Sequence, residues 1–403
     1  MLNHINQMTA VIKFMPMKKI YIFLIVFCSC IHQPGNENDD LIELFVDDQY
    51  EAKNLSELVE SIRVIPLETT DQSLIGSVAD FGYDDGNIFV LDGYNQLVSQ
   101  FDENGQFIRK LVQKGNGPGD IQHPQMFSID KLHNEVWLSN NTNFMRFDYH
   151  GNYLGKRDYQ IGFTDWYVDE DYDIYFYTGK NDNAHNEDGF MTGDLTLLTT
   201  NDQKKTWFKS DIIGYYKPNM TKVSFGSSHP FSPQPDGSVT FSYTFNDTIY
   251  GIKNKQIYPK YCVHLTGNSL PSEKLNNMPG EEIDKYIQEH PSLQWNMNSV
   301  FETPAYLLFG YGIGFHAWAW VLYEKATKKM TNVQIKDDLF GTPFLPIKDS
   351  SEDSFLAAMM VENMDLNPKL AEFIGKEKYE RLKMLSPEDN PVILEFSFKE
   401  MMR

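Results

Sequence analysis

Asn87 to Leu111 reads NIFVLDGYNQLVSQFDENGQFIRKL, and Asn134 to Arg157 repeats its plan as NEVWLSNNTNFMRFDYHGNYLGKR. Each stretch has an alternating strand, a short polar turn and a second strand ending in Phe-Asp, at Phe101-Asp102 and Phe147-Asp148. A turn closing on Gly105 or Gly151 then leads into a third strand. Self-similarity at a period of about 40–50 residues, built only from strands, is the signature of a β-propeller. The repeat therefore predicts an all-β chain of four-stranded blades.

Working outward, the pattern supports a six-bladed ring. The first blade is expected from Leu74 to Val112, with turns at Asp84-Asp85-Gly86 and Asp102-Glu103-Asn104-Gly105, and the second from Phe127 to Tyr159. The third starts at Trp166 and is interrupted by a polar excursion from Gly179 to Gly193. The fourth covers Ser238 to Leu265, with turns at Asn246-Asp247 and Lys253-Asn254-Lys255. Asn, Asp and Gly at such points supply the left-handed conformations that tight hairpins need. A fifth blade is expected from Tyr306 to Lys336, and a sixth from Pro343 to Val361 completed by Pro391 to Lys399. Two helical insertions interrupt the strands. Pro271 to Asn296 carries helical apolar spacing over Glu281 to Ile287, and Pro368 opens a second helix with Leu370, Phe373 and Ile374 on one face.

A ring must close, or two blade faces stay exposed. Ser61 to Glu68 is a strand that precedes the first complete blade, and the simplest closure pairs it with Pro391 to Lys399. This makes 41–403 one propeller.

The N-terminus has a different logic. Met17-Lys18-Lys19 and the apolar run Ile20 to Phe27 form a basic n-region and a short h-region, too short to span a bilayer, so 1–29 reads as a signal peptide starting at Met17. The chain turns polar after Cys28-Ser29-Cys30, so 30–40 reads as a flexible tether. The pattern resembles a bacterial lipoprotein signal, which implies lipidation at Cys30 and attachment to the outer membrane by the lipid alone. An ordinary signal peptide with a stray Cys pair is the other reading of these residues.

Removal of Cys28 and acylation of Cys30 would leave Cys262 alone, so no intrachain disulfide is expected; Cys262 itself reads as a packed core thiol. With 35 basic against 56 acidic residues the net charge is −21, which repels nucleic acid and removes it as a partner. The 28 Phe and 22 Tyr are what blade interfaces consume, so they need no ligand to explain them.

The crossing after the first blade, Lys114-Gly115-Asn116-Gly117-Pro118-Gly119-Asp120 to Pro124, leads into Met126 to Asp130. It resembles the inter-blade signature of NHL-type repeats. With the lipoprotein-like start and Val64 to Thr69, the chain resembles the six-bladed β-propeller lipoproteins of Gram-negative anaerobes. That resemblance implies a fold and an envelope location, and no catalytic residues. A phosphate-loop reading of the crossing is declined, because a strand follows it and no GK[ST] occurs.

Candidate ligand-binding residues are those at the expected inner-strand starts: His123, Trp166, His229 and His316, with Trp318 in the Gly- and aromatic-rich stretch Phe309 to Trp320. The ten His include no HExxH motif, and no G-x-S-x-G elbow appears, so no catalytic residue and no cofactor is assigned. The leading expectation is a binding protein for an unidentified small molecule, glycan or protein. The alternative resembles lactonase-type propellers, in which a channel Ca²⁺ or Zn²⁺ ion supports a hydrolase or lyase.

Overall fold

The computed structural model describes residues 41–400, apart from 116, 118, 122, 141–142, 180–191, 211–228, 270, 272–273, 275–277, 279, 315–316, 343–345 and 353. The signal peptide, the tether and Cys30 therefore lie outside the described residues, as does His316.

Strands β1 (Ile42–Val46), β2 (Glu51–Asn54) and β3 (Val59–Pro66) come first. Blade I follows as β4 (Val78–Asp84), β5 (Asn87–Asp92), β6 (Leu97–Asp102) and β7 (Phe107–Lys110). Blade II is β8 (Met126–Asp130), β9 (Glu135–Ser139), β10 (Asn143–Asp148) and β11 (Tyr153–Asp158). Blade III is β12 (Asp165–Val168), β13 (Ile174–Tyr177), β14 (Thr192–Leu198) and β15 (Lys204–Ser210). Blade IV is β16 (Phe231–Pro233), β17 (Val239–Phe241), β18 (Thr248–Lys253) and β19 (Gln256–Leu265). Blade V is β20 (Gln294–Glu302), β21 (Tyr306–Ile313), β22 (Ala317–Glu324) and β23 (Lys329–Lys336). Blade VI combines β24 (Ile347–Ser351), β25 (Ser354–Met359) and β26 (Val392–Phe398) with β3. The all-β, six-bladed propeller expected from the repeat is the fold of the described chain.

Ring closure occurs where the sequence places it. Strand β26 pairs antiparallel with β3 from Val392↔Pro66 to Phe398↔Val59, and Leu67 N–H donates to Pro391 C=O at 3.1 Å. The buried Asn390 ties the joint. Its Nδ2 donates to the carbonyls of Glu68 at 2.7 Å and Ser73 at 3.0 Å, and its Oδ1 accepts from Ile75 N–H at 2.8 Å.

The N-terminal segment does more than close the ring. Strand β1 adds in parallel to β19 and β2 adds in parallel to β23, so blades IV and V each gain a fifth strand. The chain thus runs along the outer edges of three consecutive blades, covering backbone that would otherwise be an open edge.

Two inner strands fall outside the sequence expectation. Blade IV begins at Phe231 and not at Ser238, and the inner strand of blade V is Gln294–Glu302, part of which was expected in the helical insertion. That insertion contains the helix Gly280–Glu289, as its apolar spacing predicts. The second insertion holds two helices, Leu370–Ile374 and Lys376–Lys383, separated by Gly375 at φ 84°.

One apolar core fills each junction between neighbouring blades. Blades II and III, for example, share Trp137, Phe144, Tyr159, Trp166, Ile174 and Phe176. Phe144 has ring centroids 4.6 Å from Tyr159 and 4.8 Å from Trp166. This use of rings accounts for the aromatic surplus. Two buried carboxylates reinforce these junctions. Glu135 takes both Nε and Nη2 of Arg146, at 2.8 and 2.7 Å, and the Tyr172 hydroxyl at 3.0 Å. Glu302 lies between Lys260 at 2.8 Å and Lys325 at 2.6 Å, and also accepts from Tyr261 and Thr240. Burial opposes its ionisation, but the two lysines hold its carboxyl below the usual range.

If ring closure carries the stability, Asn390→Ala should be costly, because it orphans the Ile75 amide and two carbonyls. We expect a loss of about 2–3 kcal/mol, read as a lower midpoint in urea or thermal melts. A variant that melts with the wild type would show that the joint is held elsewhere.

Candidate functional site

The innermost strand of each blade, β4, β8, β12, β16, β20 or β24, faces the central channel. Blades VI, I and II approach closely there. A Cβ at Gly82 on β4 would lie 2.6 Å from Ile129 Cδ1 of β8 and 3.8 Å from Asp349 Oδ2 of β24. Asp349 joins all three: Oδ2 accepts from Tyr83 N–H at 3.2 Å and faces Lys131 Nζ at 3.4 Å.

Five blades place charged or titratable side chains on or beside their inner strands: Asp80 on I, Asp165 on III, His229 beside β16 of IV and Lys348 and Asp349 on VI, near the starts of those strands or within them, and Lys131 just past the end of β8 of II. Asp80 and Asp165 keep partly accessible surface yet lie deep within the protein, as groups around a channel do. Burial pushes the Asp80 carboxyl up to about 6, against the attraction of Lys348. It pushes the Asp165 carboxyl up to about 7, with the neighbouring Asp80 charge adding to the rise and the Trp166 N–H, which donates to Oδ1 at 2.8 Å, opposing it. Burial acts in the opposite sense on His229, lowering it to about 4, although Asp349 attracts its charge. Its Nδ1 is 3.0 Å from the Val300 carbonyl, an acceptor only, so Nδ1 carries the proton and Nε2 is an acceptor at neutral pH. The ring stacks on Phe301 at 4.2 Å. Two acids that can hold protons near neutrality thus share the channel with a neutral imidazole and two lysines.

The residues expected at the mouth divide. His123 sits on an exposed rim at φ 56°, its Nδ1 2.6 Å from Gln96 Oε1. Gln96 follows the turn whose Asp92 accepts from Gly76 and Ser77 N–H, so this rim is the end where β4 begins. His229 joins the channel group. Trp318 opens β22 opposite Gly312 and is 38% exposed, at the end where β20 begins. Trp166 is only 2% exposed and packs in the core between blades II and III, so the structure does not offer it as a ligand platform. It follows Asp165 on β12, and alternation turns the two side chains to opposite sides. His316 lies outside the described residues.

Sequence reasoning missed Asp80, Asp165, Lys131, Lys348 and Asp349. Isolated acids and lysines at strand ends carry no motif; the one available signal was their place in the repeat, at or near inner-strand termini.

The Gly-rich crossing has a structural role. Asp120 Oδ2 accepts the Gly117 amide at 2.8 Å, and an added Cβ at Gly115 would lie 2.2 Å from the same oxygen. A carboxylate of the loop itself therefore occupies the amide that a phosphate would need. The stretch Phe309 to Trp320 is likewise a packed hairpin for the most part. Gly310 faces Trp320, and Gly312 leaves space for the Trp295 ring, which a Cβ would meet at 2.1 Å.

Residues 41–397 match the model of a domain of unknown function, DUF4934, and the chain belongs to that family. It is similar to a Bacteroides fragilis NCTC 9343 protein described as exported, with TM-score 0.68 and 18% identity over 90% of this chain and 100% of that one. It is also similar to a DUF4221 family member from Bacteroides vulgatus ATCC 8482, with TM-score 0.52 and 10% identity over 85% of this chain and 97% of that one. At these identities the likeness is one of fold. No curated protein matches the chain.

The channel carboxyls make a pH prediction. The folded value of Asp165, about 7, lies above its ordinary 3.8, so its contribution is intact below pH 3.8 and is lost as pH rises through 7. Asp165→Asn should therefore melt higher than wild type at about pH 8, by on the order of 1–2 kcal/mol once water in the channel is allowed for, and equally near pH 4. His229 has the opposite sign: its contribution is present above 6.5 and is lost as pH falls through about 4. Equal melting of wild type and Asp165→Asn across this range would remove Asp165 from the set of perturbed groups.

Proposed function

We propose that this DUF4934 family member is an envelope-anchored propeller that binds a small polar ligand carrying amine or hydroxyl donors at its channel mouth. The observation that carries this reading is that Asp80, Asp165 and Lys348, at or near the starts of the inner strands of blades I, III and VI, feel one another's charge, with His229 of blade IV under the influence of Lys348 and Asp349. Carboxyls held partly protonated by burial gain most from a ligand that replaces lost water with donors, because each hydrogen bond restores what desolvation removed. The Nε2 of His229 adds an acceptor beside them. His123 and Trp318, at the same end of the ring by register, would contribute the rim.

The hydrolase or lyase alternative needs three or more donors around one point in the channel. Among the described residues, the one group of three His, Cys, Asp or Glu donors lying within 4.8 Å of one another is elsewhere, on the outer strands of blade IV. Envelope anchoring through Cys30 rests on the signal-like sequence. The described residues include no helix long and apolar enough to cross a membrane.

Binding is tested by thermal-shift screening of amines, sugars and short oligosaccharides, followed by calorimetry on the Asp80→Asn/Asp165→Asn double variant. A ligand held at the mouth should lose at least about tenfold in affinity, with proton release at about pH 6 if it is an amine. Ligands that bind the double variant as tightly as wild type would move the site out of the channel.

Anchoring is tested by fractionation. Cys30→Ser should shift the protein from the membrane to the soluble fraction, since acyl chains supply the attachment. Unchanged partition would refute lipidation at this residue.

A further inference from the structure

We propose that Glu43, Cys262 and His264 form a zinc(II) site with three protein ligands and a fourth position open to solvent, which clips β1 onto blade IV. The parallel register sets Glu43 opposite Cys262 and Phe45 opposite His264. The strand period of two puts Cys262 and His264 on one face of β19. One donor atom from each of the three lies within 4.8 Å of the other two. His264 Nε2 already hydrogen-bonds the Glu43 carboxylate, and Phe45 stacks on the imidazole at 4.6 Å and 16°, fixing its plane.

The donor set selects the metal. A thiolate, an imidazole and a carboxylate suit zinc, whereas calcium requires six or more oxygens. Zinc bonds of about 2.0–2.3 Å in a tetrahedron place ligand atoms about 3.3–3.8 Å apart. Glu43 and His264 are closer than this and must part slightly. Cys262 must be approached, which the exposed, flexible Glu43 side chain allows. Three protein ligands leave one position for water, the pattern of an open zinc site. Cys262 is fully buried while Glu43 is exposed and His264 half-buried, so the metal enters from the surface and meets the sulfur last. On binding, the thiol proton passes to solvent, a zinc–sulfur bond forms, and neutral His264 donates its Nε2 lone pair. The ion then replaces the Glu43–His264 hydrogen bond as a side-chain link added to the backbone ladder of the two strands. This site is separate from the channel and stands or falls independently of the ligand reading.

The test is cobalt(II) titration of the chelator-treated protein, followed by zinc competition. The expected result is a 1:1 complex with a thiolate-to-cobalt charge-transfer band in the near ultraviolet, displaced by stoichiometric zinc. Cys262→Ser should abolish the band. His264→Ala and Glu43→Gln change surface-accessible groups and should fold normally, so they decide the matter if Cys262→Ser does not fold. Each should weaken zinc binding by at least about tenfold. Zinc should also slow amide exchange across Ile42–Val46 in wild type and not in His264→Ala. Absence of the thiolate band in wild type, or equal zinc affinity in the two surface variants, overturns the proposal.

Discussion

A propeller blade has two apolar faces, and neither is covered by the blade's own strands. Each blade is satisfied only between two others, so the fold depends on a ring that closes. The junction cores show this directly: Ile65, Phe81, Val90, Leu356 and Ile393 are buried together only because β3 lies against β26 and blade VI lies against blade I. Chain ends that would fray in an open array are instead paired across the joint. The buried amide of Asn390 then fastens the segment leaving β3 to the segment entering β26.

The same architecture sorts the buried charges into two kinds. Glu135 and Glu302 sit between blades, the first paired with Arg146 and the second with Lys260 and Lys325, which hold the Glu302 carboxyl below the usual range. Their carboxylate oxygens already accept from side-chain donors of their own and the neighbouring blade. Asp80 and Asp165 face the channel, where burial raises them and compensation is incomplete. Incomplete compensation is what makes a site receptive, because a ligand can supply the missing partner.

Legibility in the sequence followed the locality of the signal. The turn at Asp85-Gly86 has φ 44° and 73°, and Gly105 has φ 82°; these conformations constrain residue choice within a few positions, so blades I and II could be read directly. Strand β16 is only Phe231–Pro233 and ends on a proline, leaving no alternation to detect. Strand β20 is interrupted by an irregularity between Asn296 and Val300, which breaks the period of two, and it follows closely on a helix. Trp166 was misplaced for a related reason: its position in the repeat was clear, but the side of β12 it occupies depended on a register the sequence did not display.

Alternation, turn residues and the matching strands at the two ends determined the number of blades, most of their strands and the closure of the ring, because each rests on interactions spanning a few residues or on repetition of one unit. Only the tertiary structure decided which isolated side chains meet. Asp80 and Asp165 feel one another's charge because the ring brings inner strands of different blades around one axis. Glu43 and His264 are 221 residues apart, and they touch because β1 adds in parallel to an outer edge in one particular register. Backbone pairing fixed that register, and a shift of one residue would have turned Glu43 to the opposite face.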